Sequence, residues 1–245
     1  METKQKTAIV TGASKGIGAA IARRLAQDDI AIVVNYSTDL VSAQKLVAEL
    51  ERSGGQAVAA QANVADPQGI SSLFDAAEQT FGQPDILINN AGTMQNSALA
   101  LASDEEFDKQ IAVNLAGTFR GMREAANRLK DGGRIISISS SVVGFYQPGY
   151  GIYAASKAAV EAMTKVLAKE LGTRSITVNA VSPGPVETEF FFAGKSDAQI
   201  EAIKRLSPLG RLGAPNEIAD AVAYLAGPES GWVNGQILRV NGGAI

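Results

Sequence analysis

The chain of 245 residues contains no cysteine and no histidine. Without cysteine there is no disulfide, no thiolate zinc site and no cysteine nucleophile. Without histidine a Ser-His-Asp triad is impossible, and any general acid or base has to be Asp, Glu, Lys or Tyr. Only carboxylates remain as strong metal ligands, so no metal site is expected. A basic excess is also missing. Lys and Arg number 22 against 25 Asp and Glu, a net charge of −3, which argues against a nucleic-acid binder. Long apolar runs are absent too. The run after the polar Met1 to Lys6 stretch, Ala8 to Val10, is far too brief for a signal peptide or a membrane helix. The expectation is a cytoplasmic protein with no nucleic-acid and no membrane partner.

What is present is a globular balance, 46% hydrophobic and 19% charged, and a rhythm. Short apolar runs (Thr7 to Val10, Ala31 to Val34, Ala57 to Ala60, Asp85 to Ile88, Arg134 to Ser139, Thr177 to Val181, Gln236 to Val240) read as strands. Between them, Ile17 to Gln27, Asp39 to Arg52, Pro67 to Thr80, Asp104 to Leu129, Tyr153 to Leu171 and Pro215 to Ala226 read as helices. Strands apolar on both faces, alternating with helices, predict an α/β, doubly wound sheet of about seven parallel strands with helices on both faces. The whole of 1–245 reads as one domain. Ser182 to Ser207 has no clear place in the rhythm, and 185–207 is expected to be an irregular substrate lid.

The first strand runs into Thr11-Gly12-Ala13-Ser14-Lys15-Gly16-Ile17-Gly18. Gly12 permits a tight turn, Gly16 a close backbone approach to a pyrophosphate, and Gly18 close packing of the helix on the sheet. The helix N-terminus offers free N–H groups and partial positive charge to phosphates. The second strand ends in Asn35-Tyr36-Ser37, where a carboxylate for the adenosine ribose 2′-OH of NAD would normally stand. With none there to repel a 2′-phosphate, and Lys15 in the glycine loop to attract one, NADPH is expected in preference to NADH. Tyr153 and Lys157 are four apart on a helix and share a face. A neighbouring ammonium favours the phenolate, so Lys157 is expected to lower the pKa of Tyr153 and make it a usable acid.

These features, with Asn89-Asn90-Ala91-Gly92, Tyr153-Ala-Ala-Ser-Lys157 and Ser182-Pro183-Gly184, resemble the short-chain dehydrogenase/reductase family and its Rossmann fold over nearly the whole chain. The resemblance implies a carbonyl reductase in which Tyr153 donates the proton and Lys157 also binds the nicotinamide ribose. It implies that a serine at the end of the fifth strand holds the substrate oxygen. Counting from Gly133 and back from Tyr153 selects Ser140, while the following Val142-Val143-Gly144 suits Ser141. Ser140 is preferred, and alternation along a strand leaves one of the two facing substrate. Asn114 is implied to hold a water that passes protons to Lys157. Asn90, Ala91 and Gly92 are implied to line the cofactor ribose, Asn63 and Val64 the adenine, and Pro183, Gly184, Val186 and Thr188 the nicotinamide. Asp28-Asp29 stands where the family usually has Gly-Ala.

Met94, Phe145, Tyr146, Gln147, Tyr150 and Phe190 to Phe192 are expected to wall an apolar substrate pocket suited to ketones, keto esters or 3-oxoacyl thioesters. A 3-oxoacyl-[acyl-carrier-protein] reductase is an alternative, with Arg128, Lys130 and Arg174 as candidate carrier contacts. An alcohol or sugar dehydrogenase is another, and a dinucleotide sensor without turnover a third. A homotetramer is implied by the resemblance.

Overall fold

The computed structural model describes residues 5–245, so Met1 to Lys4 of the N-terminal stretch lie outside the described residues. The strands are β1 (Lys6–Val10), β2 (Ile30–Tyr36), β3 (Ala57–Gln61), β4 (Ile86–Asn89), β5 (Arg134–Ile138), β6 (Thr177–Pro183) and β7 (Ile237–Val240). All pair in parallel, in the order β3-β2-β1-β4-β5-β6-β7. The helices are α1 (Gly16–Gln27), α2 (Leu40–Arg52), α3 (Gly69–Thr80), α4 (Asp104–Gln110), α5 (Gly117–Arg128), α6 (Val142–Phe145), α7 (Gly151–Glu170), α8 (Glu189–Phe192), α9 (Asp197–Lys204) and α10 (Pro215–Ala226).

Strand residues alternate between two cores, as a pleated sheet covered on both faces requires. Ala8, Val10, Ile86, Ile88, Ile136 and Ile138 pack with Ile21 and Leu25 of α1, Leu46 of α2 and Ile218 of α10. The intervening Ile9, Leu87 and Ile135 pack with Phe74 of α3, Met122 of α5 and Ala168 of α7. No helix among the described residues is long and apolar enough to cross a membrane.

Two segments differ from the sequence reading. The long helix expected over 104–129 is interrupted by a π-helical stretch at Ile111–Ala116, a wider winding often found where a helix serves a site. The segment 185–207, expected to be irregular, holds α8 and α9. Thr188 caps α8, its Oγ1 accepting the Phe191 N–H at 3.1 Å. Ser196 and Gln199 form a capping box at the start of α9. Asp29 stands in the left-handed region at φ +56°, a conformation glycine takes without strain.

Candidate active site

The strand order changes direction between β1 and β4, which opens a crevice at the C-terminal ends of these strands. Gly12 and Gly16 turn the chain there at φ +61° and +58°. A Cβ on Gly12 would lie 3.0 Å from the Ala91 Cα, so the loop after β1 packs directly on the loop after β4. Thr11 Oγ1 accepts the Asn90 and Ala91 N–H groups at 2.9 and 3.0 Å. Asn90 Nδ2 returns bonds to the Thr11 and Gly12 carbonyls at 2.9 and 3.1 Å. The sequence reading passed over Thr11, which knits the two loops together.

Asn35 has a role in the loop itself that the sequence reading did not include. It is buried, and its Oδ1 accepts the Gly12 N–H at 3.0 Å. Its Nδ2 donates to the carbonyls of Tyr36, Ala60 and Ala62. These backbone bonds let Asn35 set the glycine loop, and the residue also lines the cavity described next, with one acceptor position of Oδ1 unused.

A cavity of about 740 Å³ opens from this crevice. Ser14, Lys15, Gly16, Ile17 and Gly18 bound it at the start of α1, whose first N–H groups have no helical partners. Tyr36, Ser37, Asn63 and Val64 form one side. Asn90, Ala91, Gly92, Pro183, Gly184, Val186 and Thr188 form its middle. This concave, glycine-lined cradle at a helix N-terminus fits a dinucleotide. At its rim, Lys15 Nζ lies 4.0 Å from Asp39 Oδ2 and 3.7 Å from Glu189 Oε2. Bonds from the Ser42 N–H and hydroxyl hold the Asp39 carboxyl below the usual range.

Tyr153, Lys157 and Ser140 line the far part of the same cavity. Tyr153 and Lys157 are buried in α7, with the ammonium 5.7 Å from the phenol ring centre. Burial pushes the Tyr153 phenol up to about 12, while the Ser140 hydroxyl pulls it down and Tyr150 adds to the rise. The expectation that Lys157 lowers Tyr153 is therefore corrected: among the protein's own groups, desolvation dominates. Burial also pushes Lys157 down to about 8. Its Nζ donates to the Ile138 carbonyl at 2.8 Å, and its spare donors are left for a ligand, as a ribose hydroxyl would require.

The three consecutive serines all line the cavity but differ in their partners. Ser139 is buried and donates to Glu161 Oε1 at 2.7 Å. Ser141 is buried, donates to the Ser182 carbonyl at 3.3 Å and accepts from Asn241 Nδ2 at 3.1 Å. Ser140 is half-buried, and its hydroxyl is the one acting on Tyr153. Asn114 does not line the cavity. It is fully buried in the π-helical stretch, its Oδ1 accepting the Thr93 N–H and its Nδ2 donating to the Thr93 carbonyl, both at 2.8 Å. Its Nδ2 also donates to the Ser156 hydroxyl at 3.3 Å, and a Cβ on Gly92 would lie 3.4 Å from Asn114 Oδ1 and 3.7 Å from Lys157 Nζ, which places the two side chains on the same glycine.

Met94, Phe145, Gln147, Tyr150, Phe190 and Phe191 line the apolar end of the cavity. Tyr146 and Phe192 do not. Tyr146 is 74% exposed at a left-handed helix cap, and Phe192 turns its edge to the Phe191 ring, 5.4 Å away. Lys195 also reaches the cavity, its Nζ 4.8 Å over the Phe191 ring. Arg128, Lys130 and Arg174 sit at the opposite end of the sheet, paired with Glu78, Asp85 and Asp131. They are corrected as carrier contacts, because the cavity opens at the other end of the strands.

A family model described as Enoyl-(Acyl carrier protein) reductase matches residues 12–244. The chain is 46% identical over 250 residues to a Short-chain type dehydrogenase/reductase of Picea abies, covering 98% of this chain and 92% of that protein. It is 46% identical over 254 residues to the NADPH-dependent aldehyde reductase-like protein, chloroplastic, of Arabidopsis thaliana, covering 98% and 94%. Among solved structures it is similar to a short chain dehydrogenase from Burkholderia cenocepacia J2315 in complex with NADP, with a TM-score of 0.93 and 38% identity over 98% of both chains. It also resembles the angucycline C-6 ketoreductase LanV with bound NADP, with a TM-score of 0.93 and 34% identity over 98% and 95% of the two chains.

Proposed function

Because the chain belongs to the short-chain dehydrogenase/reductase family of NAD(P)-dependent oxidoreductases, we propose that it reduces a ketone or 3-oxoacyl carbonyl to a secondary alcohol with NADPH. The observation that carries this reading is the buried Tyr153 and Lys157 pair, with Ser140 beside the phenol, at the apolar end of the cradle. NADPH bound along the glycine loop supplies a hydride to the carbonyl carbon. Ser140 and Tyr153 hold the carbonyl oxygen, and the phenol gives it a proton as negative charge develops. A phenol is protonated at neutral pH, as a proton donor must be. Lys157 offers its spare donors to the nicotinamide ribose, and Asn114 braces the loop alongside.

The aldehyde reductase and ketoreductase names of the relatives support a carbonyl substrate. The preference for NADPH over NADH rests on the absence of a carboxylate at Asn35 to Ser37, where β2 ends, and on Lys15 at the rim, although Asp39 and Glu189 stand beside that lysine. Met94, Phe145, Tyr150 and Phe190 suit an apolar ketone, with 185–207 as the segment over the substrate. The 3-oxoacyl-[acyl-carrier-protein] alternative loses the basic contacts suggested for it. The homotetramer of the sequence reading rests on the family resemblance. The deciding experiment follows NADPH and NADH oxidation with a panel of ketones and an acetoacetyl thioester. Ketone-dependent turnover, faster with NADPH, is expected. NADPH binding with no turnover on any member would overturn the reading in favour of a dinucleotide sensor.

A further inference from the structure

Beyond Asn89, where β4 ends, the chain runs on through Thr93, Met94 and Gln95 with no strand beside it. Its backbone groups still need partners. Two side-chain amides four residues apart supply them. Asn114 accepts from the Thr93 N–H and donates to the Thr93 carbonyl, both at 2.8 Å. Gln110 accepts from the Gln95 N–H at 3.3 Å and donates to the Gln95 carbonyl at 3.2 Å. Paired accept-and-donate contacts at alternate residues are the pattern of a strand edge. Here helix side chains imitate the missing strand.

Met94 stands between the two clamped residues and lines the apolar end of the cavity. Gln110 is only 1% exposed and does not reach the cavity itself. An amide buried this deeply is costly unless fully bonded, and both its ends go to Gln95.

We propose that Gln110 is a specificity-determining positioning residue: with Asn114 it clamps the segment 93–95 and fixes Met94 as a wall of the substrate pocket. This rests on reading the cavity's apolar end as the seat of a ketone. Gln110 acts on which carbonyl fits, through Met94, and has no part in proton or hydride transfer. Asn114 also donates to the Ser156 hydroxyl on α7, the helix of Tyr153, whereas Gln110 bonds Gln95 alone. Gln110 is therefore the residue with which to test the clamp by itself.

The test compares wild type, Gln110→Met, Met94→Ala and the double variant on a small and a bulky ketone. Gln110→Met keeps the volume and removes the backbone bonds. The ratio of kcat/KM for bulky over small ketone is expected to rise about tenfold, the scale of one methylene-sized change in an apolar pocket. The change is expected in KM for the small ketone, with kcat and NADPH affinity within about twofold of wild type. Met94→Ala shifts the ratio the same way, and in the double variant Gln110→Met adds nothing further. An unchanged ratio, or shifts that add, overturns the proposal. So does an equal loss of kcat on both ketones, the mark of a merely structural role.

A second readout needs no turnover. The chain has 4 methionines, so labelled methionine methyls can be followed individually by NMR. In Gln110→Met the Met94 signal is expected to move and broaden while the native Met122 and Met163 signals hold. An unmoved Met94 signal overturns the clamp. If wild type reduces no ketone yet the Met94 signal moves, the clamp stands and the reading of the cavity as a ketone site fails.

Discussion

Lys157 Nζ donates to the Ile138 carbonyl at 2.8 Å, tying the middle of α7 to the end of β5. Two residues past Ile138 stands Ser140, and four before Lys157 stands Tyr153. One buried bond thereby sets the distance between the phenol and the serine.

The same burial gives a pH signature. Lys157 is pushed down to about 8 from its ordinary 10.5. Between these values the unfolded chain binds more protons than the folded one, so wild-type stability rises with pH across that window. Below about 8 the folded protein bears the full cost of a buried ammonium. Lys157→Met removes that cost. Relative to wild type, the variant is expected to be favoured at pH 7 and to lose up to about 3 kcal/mol of that advantage by pH 10. Urea unfolding midpoints at the two pH values check this, and a pH-independent difference would contradict it.

Tyr153→Phe removes the proton donor and nothing that holds the dinucleotide loop. Reduction is expected to fall by about 10²–10⁴-fold, with NADPH affinity kept. Single-turnover kinetics beside a fluorescence titration separates the two quantities.

The serines predict opposite phenotypes. Ser140→Ala is expected to lower kcat by about 10²–10³-fold, the usual cost of an oxyanion donor, with little loss of stability. Ser141→Ala removes the bonds that Ser141 makes with the Ser182 carbonyl and the Asn241 amide, and about 1–3 kcal/mol of stability is expected to go. Steady-state kinetics and thermal unfolding on both variants decide between them.

Asn35→Ala and Lys15→Ala distinguish loop shape from charge recognition. Asn35→Ala strands buried carbonyls and frees Gly12, so about 1–3 kcal/mol of stability and affinity for both NADPH and NADH are expected to fall together. Lys15→Ala is expected to weaken NADPH about tenfold, the lower end for a bond to a charged group, and to leave NADH almost unchanged. Isothermal titration with both dinucleotides reads the difference.

The sheet was legible because each strand is a short apolar run, and the two cores follow from its alternation. The π-helical winding at 111–116 was not, since Ile111, Val113 and Leu115 leave no periodic mark that separates it from an α-helix. The short α8 and α9 were missed for want of an apolar stripe, although Ser196 and Gln199 carry the spacing of a capping box that could have placed α9. At the site, the local motifs placed Tyr153, Lys157 and the glycine loop on one cavity. What a strand-end residue such as Asn35 faces depends on its neighbours in space. Its partners Ala60 and Ala62 come from the end of β3 and just beyond, and no local pattern reports them. The direction of the Tyr153 shift was misread for a similar reason, because burial is a property of the assembled fold.

The π-helical stretch fixes a phase. An α-helix turns about 100° per residue, and the wider winding alters how far α5 is rotated relative to α4. On one side of the stretch Gln110 meets Gln95. On the other, Gly121 packs so closely on Asn89 that no side chain fits between them. Deleting one residue from 111–116 would let a plain α-helix run through. It would also swing these two contacts out of step, so that the helix could keep its grip on the loop or on the sheet, but not on both. The length of this segment is therefore as much a determinant of the site as the identity of any residue within it.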